Sequence, residues 1–432
     1  MPNLSNIKVT IGMESTPGTA VTTTAVIPIK GLPTLSKKFE RKPDELITGN
    51  NMEAGEYSVA TNVGGQLPLS PRACAGMGKL IKASLGLETS SSQIGGAIRI
   101  RYSGSQASCK MVVTATTITS NIGALGSETA DSGSGTAGFG TSGVVTLSSY
   151  NTLGALQTYL ATFTNYATET VMGASSASTT APGPITITSA QAAGKYVYIY
   201  FQSSTSGVYV HTMVPDLTAN ERPSTTIQID GMGDNFLYAG DYIDSLSLQA
   251  ALKGYVSGTV DLVGFTEGIG QTASAVVMPN AGPLVFQNGS VTFDGKVFTY
   301  VRNFNFKLTN NMHKDGYGIG SLDRSYALKN KFQVSGDFQL RLDSNAYAER
   351  AKVASAAFAP LTISFRGNAI ANSMYEMMNI EMPYLNVDVY DTVDNSGILD
   401  AKITYKSYNP TGSYNYDAPL TITLITIDSA AY

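Results

Sequence analysis

The chain has no tryptophan, two cysteines, two histidines and few charges, with Asp, Glu, Lys and Arg making up only 14 % of its 432 residues. Each shortage excludes something. Cys74 and Cys109 lie far apart and lack metal spacing, so they form neither a disulfide framework nor a zinc motif, and they suit a reducing compartment. His211 and His313 have no sequence-near set of Cys, Asp or Glu at ligand spacing. The net charge is −4 and there is no basic block, which argues against tight, sequence-independent phosphate binding. No run approaches the roughly 20 apolar residues of a membrane span. The opening residues, MPNLSNIKVTIG, lack a basic-then-apolar export signal. These observations predict a chain made in a cytoplasm, with no membrane partner.

Glycine (43 residues) and tyrosine (24) are abundant. With many hydroxyls, amides and short alternating runs, this composition predicts a β-rich protein with many turns. The length allows two or three domains.

The clearest signal is Tyr326–Asp343. Phe332, Val334, Phe338, Leu340 and Leu342 alternate with Gln333, Ser335, Asp337, Gln339 and Arg341. Such alternation predicts a long strand with one apolar and one wet face. Gly336 is the gap on the apolar side and predicts a bulge or a close backbone approach. Upstream, Thr299–Leu308 places Tyr300, Phe304, Phe306 and Leu308 on one face. Between the two runs lies a long polar loop, Asn310–Arg324, and after the second comes a short helix over Ser344–Ala357 capped by Ser344 or Asn345.

The same order occurs earlier. A run at Leu32–Arg41, a polar loop over Lys42–Glu56, a strand at Tyr57–Leu69 and a helix from Ser70 to Leu85, with Ser70 as N-cap and Pro71 first, repeat the pattern. Strand pairs at Tyr242–Phe265 and Tyr375–Tyr408 then correspond. The fold expected is mainly β, with two tandem sandwich- or barrel-like modules, each with one flanking helix, plus an inserted small α+β domain. The boundaries are residues 1–28 for an N-terminal arm or ordinary strand, 29–86 and 224–270 for a discontinuous first module, 87–223 for the insert, and 271–432 for the second module. The insert begins and ends in polar linkers, Glu88–Gln93 and Pro215–Pro223, and carries a helix over Asn151–Tyr166.

Chemistry is scarce. There is no G-x-S-x-G nucleophile turn. Gly76-Met77-Gly78-Lys79-Leu80 lacks the Ser/Thr of a phosphate loop and reads as helix. Asp391–Asp400 resembles a calcium loop only until Val393, which occupies a ligand position, so it reads as a hairpin turn. No catalytic, cofactor or metal site is predicted, and no enzyme. The wet strand faces are either plain surface or, in a ring of sheets closed edge to edge, the wall of a channel.

The run Gly12, Glu14, Ser15, Gly18, Thr19, Ala20, Val21, followed by Ile27-Pro28-Ile29, resembles the opening arm of the tail tube proteins (major tail proteins) of long-tailed, non-contractile bacteriophages. NGSVTFDGKVFTYVRNFNFKLTNN and LKNKFQVSGDFQLRLDSNAYAERAKVA are similar to that family's second half. The resemblance covers about residues 6–86 and 226–427. It implies a structural subunit of the virion tail, synthesised in the host bacterial cytoplasm, whose rings stack into a hollow tube conducting DNA to the host cell. Family rings present six tube domains, so a two-module chain implies a trimeric, pseudo-sixfold ring, or else a hexamer. Other implied partners are a tape measure in the lumen, a tail terminator and a distal tail protein. On this view Asn62, Gln66, Gln333, Ser335, Asp337 and Gln339 line a weakly acidic, amide-rich lumen. Asp44, Glu45, Asn50, Glu53, Lys314, Asp315, Asp323 and Arg324 reach a neighbouring ring, as does the arm with Glu14, Ser15, Gly18 and Thr19. Two alternatives stay open: a surface or adhesive β-protein whose insert binds a receptor or carbohydrate, and a tube of a contractile or secretion-type machine.

Overall fold

Period-two patterning sets the architecture. In the computed structural model, which describes residues 6–44, 55–133, 135–192, 195–343, 346, 348–355, 358–370, 373–409 and 418–432, the chain is mainly antiparallel β. The first stretch runs β1 (Lys8–Met13), β2 (Ala25–Ile27), β3 (Ser36–Pro43), β4 (Glu56–Leu69) and α1 (Ala75–Leu85). The helix starts four residues later than the sequence predicts. Ser70 N–H donates to Pro28 O, and Pro71 O accepts from Leu284 N–H, so tertiary bonds hold this segment extended. Cys74, not Ser70, is the N-cap residue. Glycines let α1 approach closely, since a Cβ on Gly76 would strike Val26 O and one on Gly78 would strike the Tyr432 ring.

Residues 86–215 carry β5 (Gly86–Tyr102), β6 (Ser108–Val113), β7 (Thr117–Gly123), β8 (Thr129–Ala130), β9 (Val144–Thr146), α2 (Leu153–Leu160), β10 (Tyr166–Gly173), β11 (Ile187–Ala192), β12 (Tyr196–Gln202) and β13 (Tyr209–Pro215). A separate core containing Ile98, Ile100, Phe139, Leu156, Phe163 and Phe201 lies here. Glu88–Gln93, read as a linker, belongs instead to β5, whose first half ladders with β13. Strands β6 and β7 form a hairpin, with a turn tied by Thr114 N–H to Thr117 O. Helix α2 is shorter than predicted and is capped by Thr152, whose Oγ1 accepts from Ala155 N–H.

The chain returns through β14 (Thr225–Asp230), β15 (Phe236–Ala251), β16 (Ser257–Gly264) and β17 (Thr266–Gly268). The last stretch is β18 (Gly289–Phe293), β19 (Lys296–Phe298), β20 (Val301–Thr309), β21 (Gln333–Arg341), α3 (Ala351–Ser355), β22 (Ala359–Ala369), β23 (Tyr375–Asn395), β24 (Ile398–Ser407) and β25 (Thr421–Thr426). Ser344 and Asn345, the predicted caps of α3, lie outside the described residues. Tyr300 was placed on the apolar face, yet it is 61 % exposed. It precedes β20, where a register shift between Val301 and Asn303 reverses the alternation.

Pairing repeats strand for strand. In one ladder β3–β4–β16–β15 is matched by β20–β21–β24–β23. In the other, β2–β1–β14–β15–β17 is matched by β19–β18–β22–β23–β25. Both β15 and β23 bulge at an aspartate, Asp244 and Asp388, and both α1 and α3 pack on these strands. Gly65 and Gly336 hold equivalent positions, and a Cβ on either would strike a backbone oxygen beside it, Thr34 O just before β3 or Asn305 O of β20. The ladder continues without a shift through Gly336, so the glycine serves close approach and not a bulge. One core spans both halves, including Leu67, Leu246 and Val260 with Phe306, Phe338 and Ile403. Strand β13 extends the second half's outer ladder by pairing with β25.

Candidate assembly site

The two four-stranded ladders join edge to edge. Strand β15 pairs with β20 from Ser245 opposite Thr309 to Ala251 opposite Asn303, giving one eight-stranded sheet in the order β3–β4–β16–β15–β20–β21–β24–β23. On its dry side Leu246, Leu248 and Ala250 meet Leu308, Phe306 and Phe304, all buried. Its other side is wet across the joint, because alternation carries through the ladders in step.

Gln333, Ser335, Asp337 and Gln339 lie on that wet side with Asn62 and Gln66. Their bonds run across the strands. Asn305 Nδ2 donates to Asp337 Oδ1 (3.1 Å), Asn303 Nδ2 to Gln339 Oε1 (2.9 Å), and Gln66 Nε2 to Asp261 Oδ1 (2.7 Å). Of the ionic residues of this face, sequence reasoning named only Asp337 as a lumen candidate. The ladders add Lys38, Lys307, Arg341, Lys402 and Lys406 against Glu40, Asp261, Asp388, Asp391 and Asp400. The face therefore carries charges of both signs as well as amides. The alternation of β24 and the even spacing of its lysines could have shown this.

The long loop after β20 folds back over the first half. Leu322 O accepts from Thr61 N–H (2.8 Å). Asp323 pairs with Lys37 (2.9 Å) and accepts from Thr61 Oγ1. The buried Arg324 guanidinium donates to Gly264 O (2.8 Å) and Asn62 Oδ1 (3.1 Å), and Tyr317 OH donates to the same Asn62 oxygen (2.7 Å). Asp323 and Arg324 are thus engaged within the chain. Lys314 pairs with Asp244 at 3.1 Å, while Asp315 is exposed at the tip. Asp44 N–H donates to Gly55 O (2.7 Å), and Glu45, Asn50 and Glu53 lie outside the described residues.

The N-terminal run is laddered on both sides, β1 pairing with β14 and β2. Glu14 locks its end by accepting from Gly18 N–H (2.9 Å), Ser224 Oγ (2.8 Å), Thr226 Oγ1 (2.7 Å) and Gly240 N–H (2.9 Å). Gly18 takes φ +78°, Thr19 N–H closes a turn on Thr16 O, and Ser15 is exposed. Nearby, Asp241 is wholly buried, with neither carboxylate oxygen hydrogen-bonded. Burial first, then the Glu14 charge, pushes its carboxyl well above the ordinary range. Its equivalent in β23 is Leu385.

His211 and the two cysteines are structural. His211 is buried, with Nδ1 3.0 Å from Glu88 and Nε2 2.9 Å from Asp428 O, under the Tyr432 ring. Burial pushes both thiols, Cys74 and Cys109, up to about 11, which leaves them inert. Among the described residues no group of three or more His, Cys, Asp or Glu could hold a metal, and no helix is long and apolar enough to cross a membrane.

The chain matches the profile of the phage tail tube proteins over residues 5–406. It belongs to that family. No curated protein sequence matches it. Membership in the tail tube family makes the chain a structural subunit of a virion tail that assembles with copies of itself and other tail proteins.

Proposed function

We propose that three copies close into a ring in which six ladders turn their wet faces inward, and that stacked rings conduct viral DNA. The observation that carries this reading is the internal joint. Two copies of one ladder already sit edge to edge with their wet faces continuous, as neighbours in a pseudo-sixfold ring would. A wall of amides, hydroxyls and paired ions holds phosphate weakly, which suits passage rather than binding. The insert hangs from β25, in the ladder across the core from the wet face, so it projects outward. The exposed loop tip around Asp315 and Ile319 is the surface offered to the next ring. The role is architectural, without catalysis or cofactor. A tape measure, terminator and distal tail protein complete the tail.

Negative-stain microscopy of the purified protein tests this directly. Hollow filaments of uniform width are the expected outcome. Chains that stay monomeric at every concentration would contradict it and would favour an adhesive role for the insert.

A further inference from the structure

We propose that the β3 edge is completed by the β23 edge of a second copy of the chain, in the register of the β15–β20 joint, and that Glu267 shields this edge until the second copy arrives. This rests on the tube reading and adds the residues that close the ring. Among the described residues, β3 ladders only with β4, and β23 beyond Leu385 ladders only with β24.

The repeated ladders fix the register. Gly65 and Gly336 are one position, and the bulges at Asp244 and Asp388 are another. Counting from these marks, Val389 and Asp391 stand where Ser245 and Ser247 stand, and Lys38 and Ser36 stand where Thr309 and Lys307 stand. At the internal joint Ser245 faces Thr309 and Ser247 faces Lys307. The new joint therefore sets Val389 against Lys38 and Asp391 against Ser36 of the second copy.

Charge selects this partner. Strand β3 carries Lys37, Lys38, Arg41 and Lys42 with one acid, Glu40. The outer part of β23, residues 387–395, carries Asp388, Asp391 and Asp394 and no base. In the copied register Asp391 lies diagonal to Lys38, within reach of a favourable cross-strand pair. Two β3 edges, or two β23 edges, would instead oppose like charges. The new joint is also more polar than the internal one, since Lys37 replaces Leu308. Such polarity fits an interface formed between separate subunits.

A bare edge strand invites wrong pairing. Here one of its amides and the carbonyl just before it are occupied: Lys37 N–H donates to Glu267 Oε1 (3.3 Å), and Leu35 O accepts from Tyr238 OH (3.0 Å). The corresponding residues of β20, Leu308 and Phe306, face Leu246 and Leu248 of β15. A carbonyl can accept a second bond, but an amide has one hydrogen. Glu267 must therefore release Lys37 for the ladder to form.

The test is a disulfide in the full chain. Val389→Cys with Lys38→Cys should link chain to chain on oxidation after assembly, because this is a non-hydrogen-bonded pair with closely spaced Cα atoms. Asp391→Cys with Ser36→Cys is a second in-register pair should the first disturb folding, and Val389→Cys with Ser36→Cys is out of register. The buried Cys74 and Cys109 do not compete. Both in-register pairs should link at least about tenfold more than the out-of-register pair, given the narrow geometry of a disulfide. Hollow tubes without that preference overturn the joint and leave the tube reading standing; chains that form no tubes and no links overturn both. Glu267→Ala should lower the concentration at which rings appear about two- to tenfold, the factor carried by one modest hydrogen bond. An unchanged or higher threshold overturns the shielding role.

Discussion

The first and second halves of the chain share a ladder order, a bulged aspartate and a close-approach glycine, yet they differ at a few informative places. The second half spends its long loop clasping the first, through Arg324 and Asp323. Its outer ladder continues from β25 into β13 and β5, whereas β17, the counterpart of β25, pairs only with β15 among the described residues. Leu385 in the second half corresponds to the buried Asp241 in the first. The shared features are those the sheet needs to exist. The unshared ones make the halves non-interchangeable, so a ring of such chains repeats per chain and not per ladder.

Substitution at shared positions should break both halves alike. Phe338→Ala and Leu67→Ala remove equivalent core residues and should each cost about 2–5 kcal/mol in denaturant unfolding. A cost below about 1 kcal/mol for either would mean that the halves pack differently. Gly336→Ala and Gly65→Ala should each cost about 1–3 kcal/mol, because the new methyl meets backbone. Gly65→Ala should be the worse of the two, since only Gly65 also takes a left-handed φ of +153°.

The unshared features predict asymmetry. Arg324→Ala leaves Gly264 O without its guanidinium donor and Asn62 Oδ1 with Tyr317 OH alone, so it should cost about 1–3 kcal/mol. Hydrogen exchange should then quicken over residues 316–325 and not over the core ladder. Asp241 should produce a slope. Its folded carboxyl titrates well above the ordinary 3.8, so the folded state keeps a proton that the unfolded state loses. Its contribution is therefore best below that value. Stability is lost as pH rises from there toward the folded pKa, at up to about 1.4 kcal/mol per pH unit. Asp241→Asn should remove this slope, and a wild type whose pH profile matches the variant's would contradict the assignment. The smallest effect on assembly is expected from trimming the insert. Replacing residues 94–208 by an Asn-Gly turn keeps the β5–β13 ladder against β25 and should leave rings intact but narrower outside.

Much of this was legible in the sequence, for physical reasons that also mark where legibility ends. The alternation from Gln333 to Arg341 faces core on one side and water on the other, so period two survives in the residues. The element order on which the two-module expectation rests recurs in the strand pairing, β3–β4–β16–β15 alongside β20–β21–β24–β23. By contrast, Glu88–Gln93 reads as linker because its side chains are polar, while its backbone is held by β13. The start of α1 was hidden because Pro28 and Leu284, distant in sequence, satisfy the backbone around Ser70 and Pro71. Arg324 looked like a surface residue because its partner Asn62 is 262 positions away. The lysines of β24 were visible but were not assigned to the wet face, and this is why the wall was expected to be acidic.

The most direct measurement of the central claim is the cross-section of the assembled tube at moderate resolution. Three chains per ring, a lumen walled by the face that carries Gln333 and Asp337, and three lobes projecting outward are the predicted result. Six chains per ring, or those two side chains packed against a dry neighbour, would contradict it.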